Sequence, residues 1–171
     1  MVAILMLASV INVADRSPSG RHVRSADVRV QALIEKGVAR SATFRHLLDS
    51  LDASDVIVYV APKHSRPDLN GYLPHRVTVA GPYRYLHVMV DLLGAEDRII
   101  GVVAHELQHA VEVAEAPDVR DDRSLTRLFA RAHINFYCGE DCFETRAAID
   151  VQYDVIGELK VSHQPSSLAS R

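Results

Sequence analysis

The run AEDRIIGVVAHELQHAVEVA, Ala95 to Ala114, constrains this chain more than any other stretch. Ile99, Ile100, Val103, Leu107 and Val111 recur at helical spacing, which predicts a helix with a broad apolar stripe. The segment PDVRDDRS, beginning at Pro117, ends it. The middle of this oily helix nevertheless carries His105, Glu106 and His109. Burying two imidazoles and a carboxylate without partners is costly, so the fold has to bring something to them.

Their spacing says what that is. At about 100° per residue, His105 and His109 lie about 40° apart and one turn along the axis, so both rings can face one ion about 2.0–2.1 Å from each ligating nitrogen. Glu106 is about 100° round from His105, badly aimed for a ligand but well placed to take a proton from a water on the ion. H-E-x-x-H thus divides the labour between two neutral nitrogen donors for a single zinc ion, His105 and His109, and one base, Glu106. A hydrolytic zinc site needs a third protein ligand and an open position.

Three acidic or imidazole side chains compete for that place. Glu112 is seven residues from His105, about 10 Å along the helix, too far to share the ion; it reads as an acceptor for the ring N–H of His109 or as a solvated residue. His133 belongs to the following helix, where Ala132 and Ile134 make a polar rim position equally fitting. Glu144, in CFETRAAID, is favoured, because Ala147 and Ala148 just after it allow its helix to pack closely on another.

The remaining chain supplies the frame. Its 171 residues, 48% apolar, suffice for one core burying about two thirds of the unfolded surface and not for two ordinary domains. A net charge of −3 without a basic run leaves no footprint for nucleic acid, so peptides or proteins are the expected partners. Residues 1–14 are uncharged and nearly all apolar, as in a signal-peptide core or leader, and residues 15–24 read as a flexible connector. Export to the periplasm or the cell exterior is the matching expectation, a cytoplasmic location the alternative. The folded domain is expected over 25–160, with no membrane span, and a disordered tail over 161–171.

Within the domain, Val30, Leu33, Ile34 and Gly37 fit a short helix, and Phe44, Leu47, Leu48 and Leu51 a second one capped by Ser41. Asp55 to Ala61 reads as a buried strand. PDLNGYLPH contains an Asn-Gly turn signal, and RVTVA and RYLHVMV flank Gly81-Pro82 as two more strands. Further helices are expected over about 124–136 and 144–159. Helices, a small sheet and three more helices make an α+β arrangement. Lys63-His64 and Pro74-His75 read as solvated loop residues, and the charges from Arg120 to Arg123 as a helix start.

HELQH followed by ETRAA resembles the gluzincin branch of the zincin metallopeptidases, in a very small version such as the minigluzincins. The resemblance covers roughly residues 83–159. It implies a small, mostly antiparallel sheet packed on the HExxH helix and followed by a helical part, with His105, His109 and Glu144 holding zinc and Glu106 as the base for peptide hydrolysis. RYLHVMV would then be the edge strand that holds substrate. The chain departs from the larger gluzincins where an Asp usually anchors a histidine four residues after the glutamate ligand: here stands Ala148, with Asp150 the nearest acid. Tyr137, Tyr153 and His133 are candidates for steadying a developing oxyanion.

Two rival readings use the same residues. Cys138 and Cys142, the only cysteines, could join His105 and His109 in a closed structural His2Cys2 zinc site, or pair with each other as a disulfide. An inactive zincin-like binding module is the other. Glu106 discriminates, since only a hydrolase needs it.

Overall fold

The computed structural model describes residues 21–64, 69–132 and 144–162. The chain alternates short strands with helices: β1 (Val23–Arg24), α1 (Val28–Arg40), α2 (Ala42–Asp52), β2 (Val56–Pro62), β3 (Gly71–Tyr72), β4 (Thr78–Ala80), β5 (Tyr83–Val90), α3 (Glu96–Ala114), α4 (Asp122–Ala132) and α5 (Arg146–Ser162). This is an α+β fold with a small mixed sheet. β1 lies inside the stretch read as a connector, with Val23 buried, and α5 runs two residues into the stretch read as a tail. No helix among the described residues is long and apolar enough to cross a membrane.

Local chemistry explains the first helices. Asp27 caps α1 by accepting from the Arg29 and Val30 amides, and Ser41 caps α2 through the Phe44 amide, each satisfying donors that a helix start leaves open. Val30 and Ile34 from α1 and Phe44, Leu47, Leu48 and Leu51 from α2 are buried in one core with Val56, Val58, Leu86 and Val88 of the sheet.

The sheet corrects the expectation of mostly antiparallel pairing. Its order is β1-β2-β5-β3, with β4 also on β5, and the longest pairing, Val56↔Arg84 through Pro62↔Val90, is parallel, as is β1 with β2. Only the short β3 and β4 run antiparallel to β5. Parallel neighbours need long connections, and here α1 with α2 and the residues 63–82 supply them. The Gly81-Pro82 turn does form: Gly81 takes φ +58, which glycine tolerates, and Ala80 pairs with Tyr83. β5 is consequently an inner strand, not the edge; β3 lies beyond it on one side and β2 on the other.

Arg84 joins the sheet to α3. Its side chain is fully buried in β5, and its guanidinium forms a two-pronged pair with Asp55, Nε to Oδ2 at 2.8 Å and Nη2 to Oδ1 at 2.6 Å. Nη1 donates to the carbonyls of Val113, Ala116 and Val119, and Nη2 to that of Ala114. These oxygens end α3 or follow it, where a helix leaves acceptors unsatisfied and its dipole favours a cation. The planar fork of an arginine reaches them together; a lysine has no such geometry.

α5 packs antiparallel on α3. A Cβ on Gly101 would fall 2.6 Å from Ile156 Cγ1 and 3.3 Å from the Gln152 carbonyl, so only glycine permits this approach. Ala148 is fully buried one helical turn nearer the start of α5.

Because removing Arg84 orphans several carbonyls, Arg84→Met is expected to cost about 3 kcal/mol, read from urea denaturation; a loss below about 1 kcal/mol would refute the clamp. The Arg84 hydrogen bond holds the Asp55 carboxyl below its usual 3.8, although partial burial opposes it. A depressed folded pKa stabilises above the unfolded value and fades as pH falls through the folded one. The stability advantage of the wild type over Asp55→Asn is therefore expected to hold at neutral pH and to shrink below about pH 4.

Candidate metal centre

α3 carries His105, Glu106 and His109 into the interior, where all three are buried. The segment just ahead of α5 brings Glu144 to them. A ligating atom from each of His105, His109 and Glu144 lies within 4.8 Å of the other two, and His105 Nε2 is 3.2 Å from Glu144 Oε2. Two donors at about 2.0–2.1 Å from one tetrahedral ion sit about 3.3 Å apart, so this pair already has ligand spacing. The group could hold a metal ion.

The second ring is oriented from behind. His109 Nδ1 lies 3.0 Å from Glu112 Oε2, which fixes Nδ1 as the donor and leaves Nε2 for a ligand. Of the two expectations for Glu112, acceptor or solvated residue, the first is the observed one. Thr145 donates its hydroxyl to the other Glu112 oxygen at 2.6 Å. His105 is different: its Nδ1 is buried and has no hydrogen-bond partner among the described residues.

Glu106 sits against β3. A Cβ on Gly71 would fall 2.6 Å from Val102 Cγ1 and 3.1 Å from Glu106 Oε1, so glycine lets the strand descend onto the helix at this point. The Leu73 amide donates to the Glu106 carboxylate. Asn70-Gly71, expected as a turn, thus delivers a strand over the base, with Asp91 N donating to Asn70 O to hold it on β5.

A cavity of about 50 Å³ opens among these groups, with Leu69, Tyr72, Leu73, His75 and Phe129 around it. That is room for a few water-sized groups. The Phe129 ring meets His109 edge to face at 5.2 Å. Tyr72 and His75 were missed from the sequence, where Pro74-His75 reads as solvated; Tyr72 reaches the cavity from β3 and His75 from the residues just after it, a placement that no local pattern carries. Lys63, also read as solvated, has a buried side chain paired with Asp91 at 3.0 Å. Tyr153 is removed from the oxyanion candidates: it is 68% exposed, beside Arg40 and Arg45. His133, Tyr137, Cys138 and Cys142 lie outside the described residues.

The electrostatics suit a cation. Burial pushes the Glu106 carboxyl above its ordinary value, against the pull of His109 and His105. Burial also works upward on Glu144, but the His105 hydrogen bond and the charges of both histidines hold it below. For His105 burial works downward, and the Glu144 hydrogen bond with the charges of Glu106, Glu144 and Glu112 outweighs it, so the ring is raised. Three carboxylates around two imidazoles draw positive charge inward, which a metal ion satisfies as well as protons do.

Compared with models of protein families, with curated proteins and with solved structures, the chain matches none.

Loaded with zinc, the protein is expected to give an X-ray absorption first shell of nitrogen and oxygen only, at about 2.0–2.1 Å. Sulfur at about 2.3 Å would replace Glu144 by the cysteines.

Proposed function

We propose that this chain is a zinc-dependent peptidase of gluzincin type, with His105, His109 and Glu144 as ligands of one zinc ion and Glu106 as general base. The observation that carries the reading is the arrival of Glu144, from the segment just ahead of α5 and remote in sequence, within 3.2 Å of His105 beside a buried carboxylate that is itself no ligand. An α+β fold with the motif helix packed on a small sheet, and the proposed third ligand just ahead of a later helix, supports the reading.

Zinc, when bound, supplies Lewis-acid polarisation of a carbonyl and lowers the pKa of water towards about 7. The protein contributes the rest. Glu106, kept basic by burial and steadied by the Leu73 amide, takes the proton as water attacks the peptide carbonyl and returns it to the leaving amine. His109 is held in one tautomer by Glu112, so its Nε2 lone pair is already directed inward. His75 and Tyr72, at the cavity wall, are the described side chains placed to steady negative charge developing on the carbonyl oxygen. With β5 enclosed, β3 is the strand at the cleft against which an extended peptide or protein segment would lie.

Glu106→Gln is expected to keep its zinc, measured by plasma mass spectrometry, while losing at least about 100-fold in hydrolysis of a mixed peptide library. Retained turnover would sink the assignment of the base. Glu144→Ala is expected instead to lose zinc affinity, and an unchanged metal content would remove Glu144 from the site.

A further inference from the structure

Thr145 follows the Glu144 ligand directly and is buried at the junction of α3 and α5. Its hydroxyl has one hydrogen to give and lone pairs to accept, and both functions are used. It donates to Glu112 Oε1 at 2.6 Å and accepts the Ala148 amide at 3.2 Å, in the geometry of a helix cap. Glu112 passes the constraint on to His109 Nδ1. One hydroxyl therefore touches the start of α5, directly after Glu144 in the chain, and, through one carboxylate, the ring of His109.

We propose that Thr145 is the positioning residue of the metal centre, setting the tautomer and ring orientation of His109 through Glu112 while fixing Glu144 at the start of α5. The proposal rests on the zinc reading for its function, although the hydrogen-bond chain itself does not. Several observations make Thr145 the pivot. Ala148, one turn into α5 and fully buried, has no polar side-chain atom to offer, and His105 Nδ1 has no hydrogen-bond partner among the described residues. His105 is held only on its inward Nε2, by Glu144, so a hydrogen bond on the outer ring nitrogen is seen at His109 alone among the described residues. Glu112 without Thr145 would keep one oxygen free to turn toward solvent, since its side chain is only partly buried. With Thr145 in place both oxygens are committed. The order of atoms, hydroxyl to carboxylate to ring N–H, allows only the tautomer that presents Nε2 to the ion.

The test compares Thr145→Val, which is nearly isosteric but can neither donate nor cap, with Thr145→Ser, which does both. Zinc affinity is read by competition with a chromophoric chelator, and the His109 tautomer by ring nitrogen chemical shifts in metal-free protein at a pH where the ring is neutral. Thr145→Val is expected to bind zinc about 10-fold to 100-fold more weakly and to show a mixed tautomer, with Thr145→Ser close to wild type. Glu112→Ala is expected to weaken zinc similarly, and adding Thr145→Val to it should change little further, because both act through one path. Unchanged affinity and tautomer in Thr145→Val, or effects of the two substitutions that simply multiply, would overturn the proposal. Should the wild type bind no zinc, the peptidase reading falls; the chain then stands or falls on the tautomer measured in metal-free protein.

Discussion

Placing three ionisable side chains on the buried face of α3 is the demand around which the fold is organised. Each of His105, Glu106 and His109 needs a compensating group, and each receives it from a different element. Glu144 comes from the approach to α5, the Leu73 amide from the chain after β3, and Glu112 from the next turn of α3 itself. Those approaches are possible only where side chains are small. Gly71 lets β3 settle on Glu106, and Gly101 lets α5 lie against α3. The site is therefore a product of close packing as much as of polar chemistry: enlarging either glycine would separate the groups that neutralise one another.

Much of this could be read from the sequence because it is local. The Ser41 cap, the burial pattern of Phe44 to Leu51, the Gly81-Pro82 turn and the shared face of His105 and His109 follow from backbone geometry at short range. Glu144 was accessible for a related reason: the small residues after it announce a closely packed helix. Partner choice between strands was not. A valine-rich strand has the same composition in a parallel or an antiparallel neighbourhood, and the long connection 63–82 left both open. Tyr72 and His75 reach the site because β3 settles over α3, a tertiary placement that no periodicity encodes, and Tyr153 left it because α5 presents that position to solvent.

Arg84 was the clearest unread signal. A charged residue opening an otherwise apolar strand, with Asp55 at the start of an earlier one, already suggests a buried pair. What the sequence does not disclose is the third party, the carbonyls at the end of α3. Without them the arginine would look like a liability, since desolvating a charge against a single carboxylate is seldom favourable. With them it completes the hydrogen bonding of two elements at once.

The two ends of α3 are consequently unequal. Ala95 offers no side-chain cap at its start, and Gly94 before it sits at φ +121, whereas the guanidinium grips its final turn. Helices loosen from their ends, and the cheaper end goes first. The start of this helix is tied to α1 only by surface pairs of Lys36 and Arg40 with Glu96 and Asp97, so fraying is expected to begin on the glycine side, and the half carrying His109 and Glu112 to be the slower to exchange its amide hydrogens. The more firmly tied half of α3 is then the half that would have to stay in register for a metal to be held.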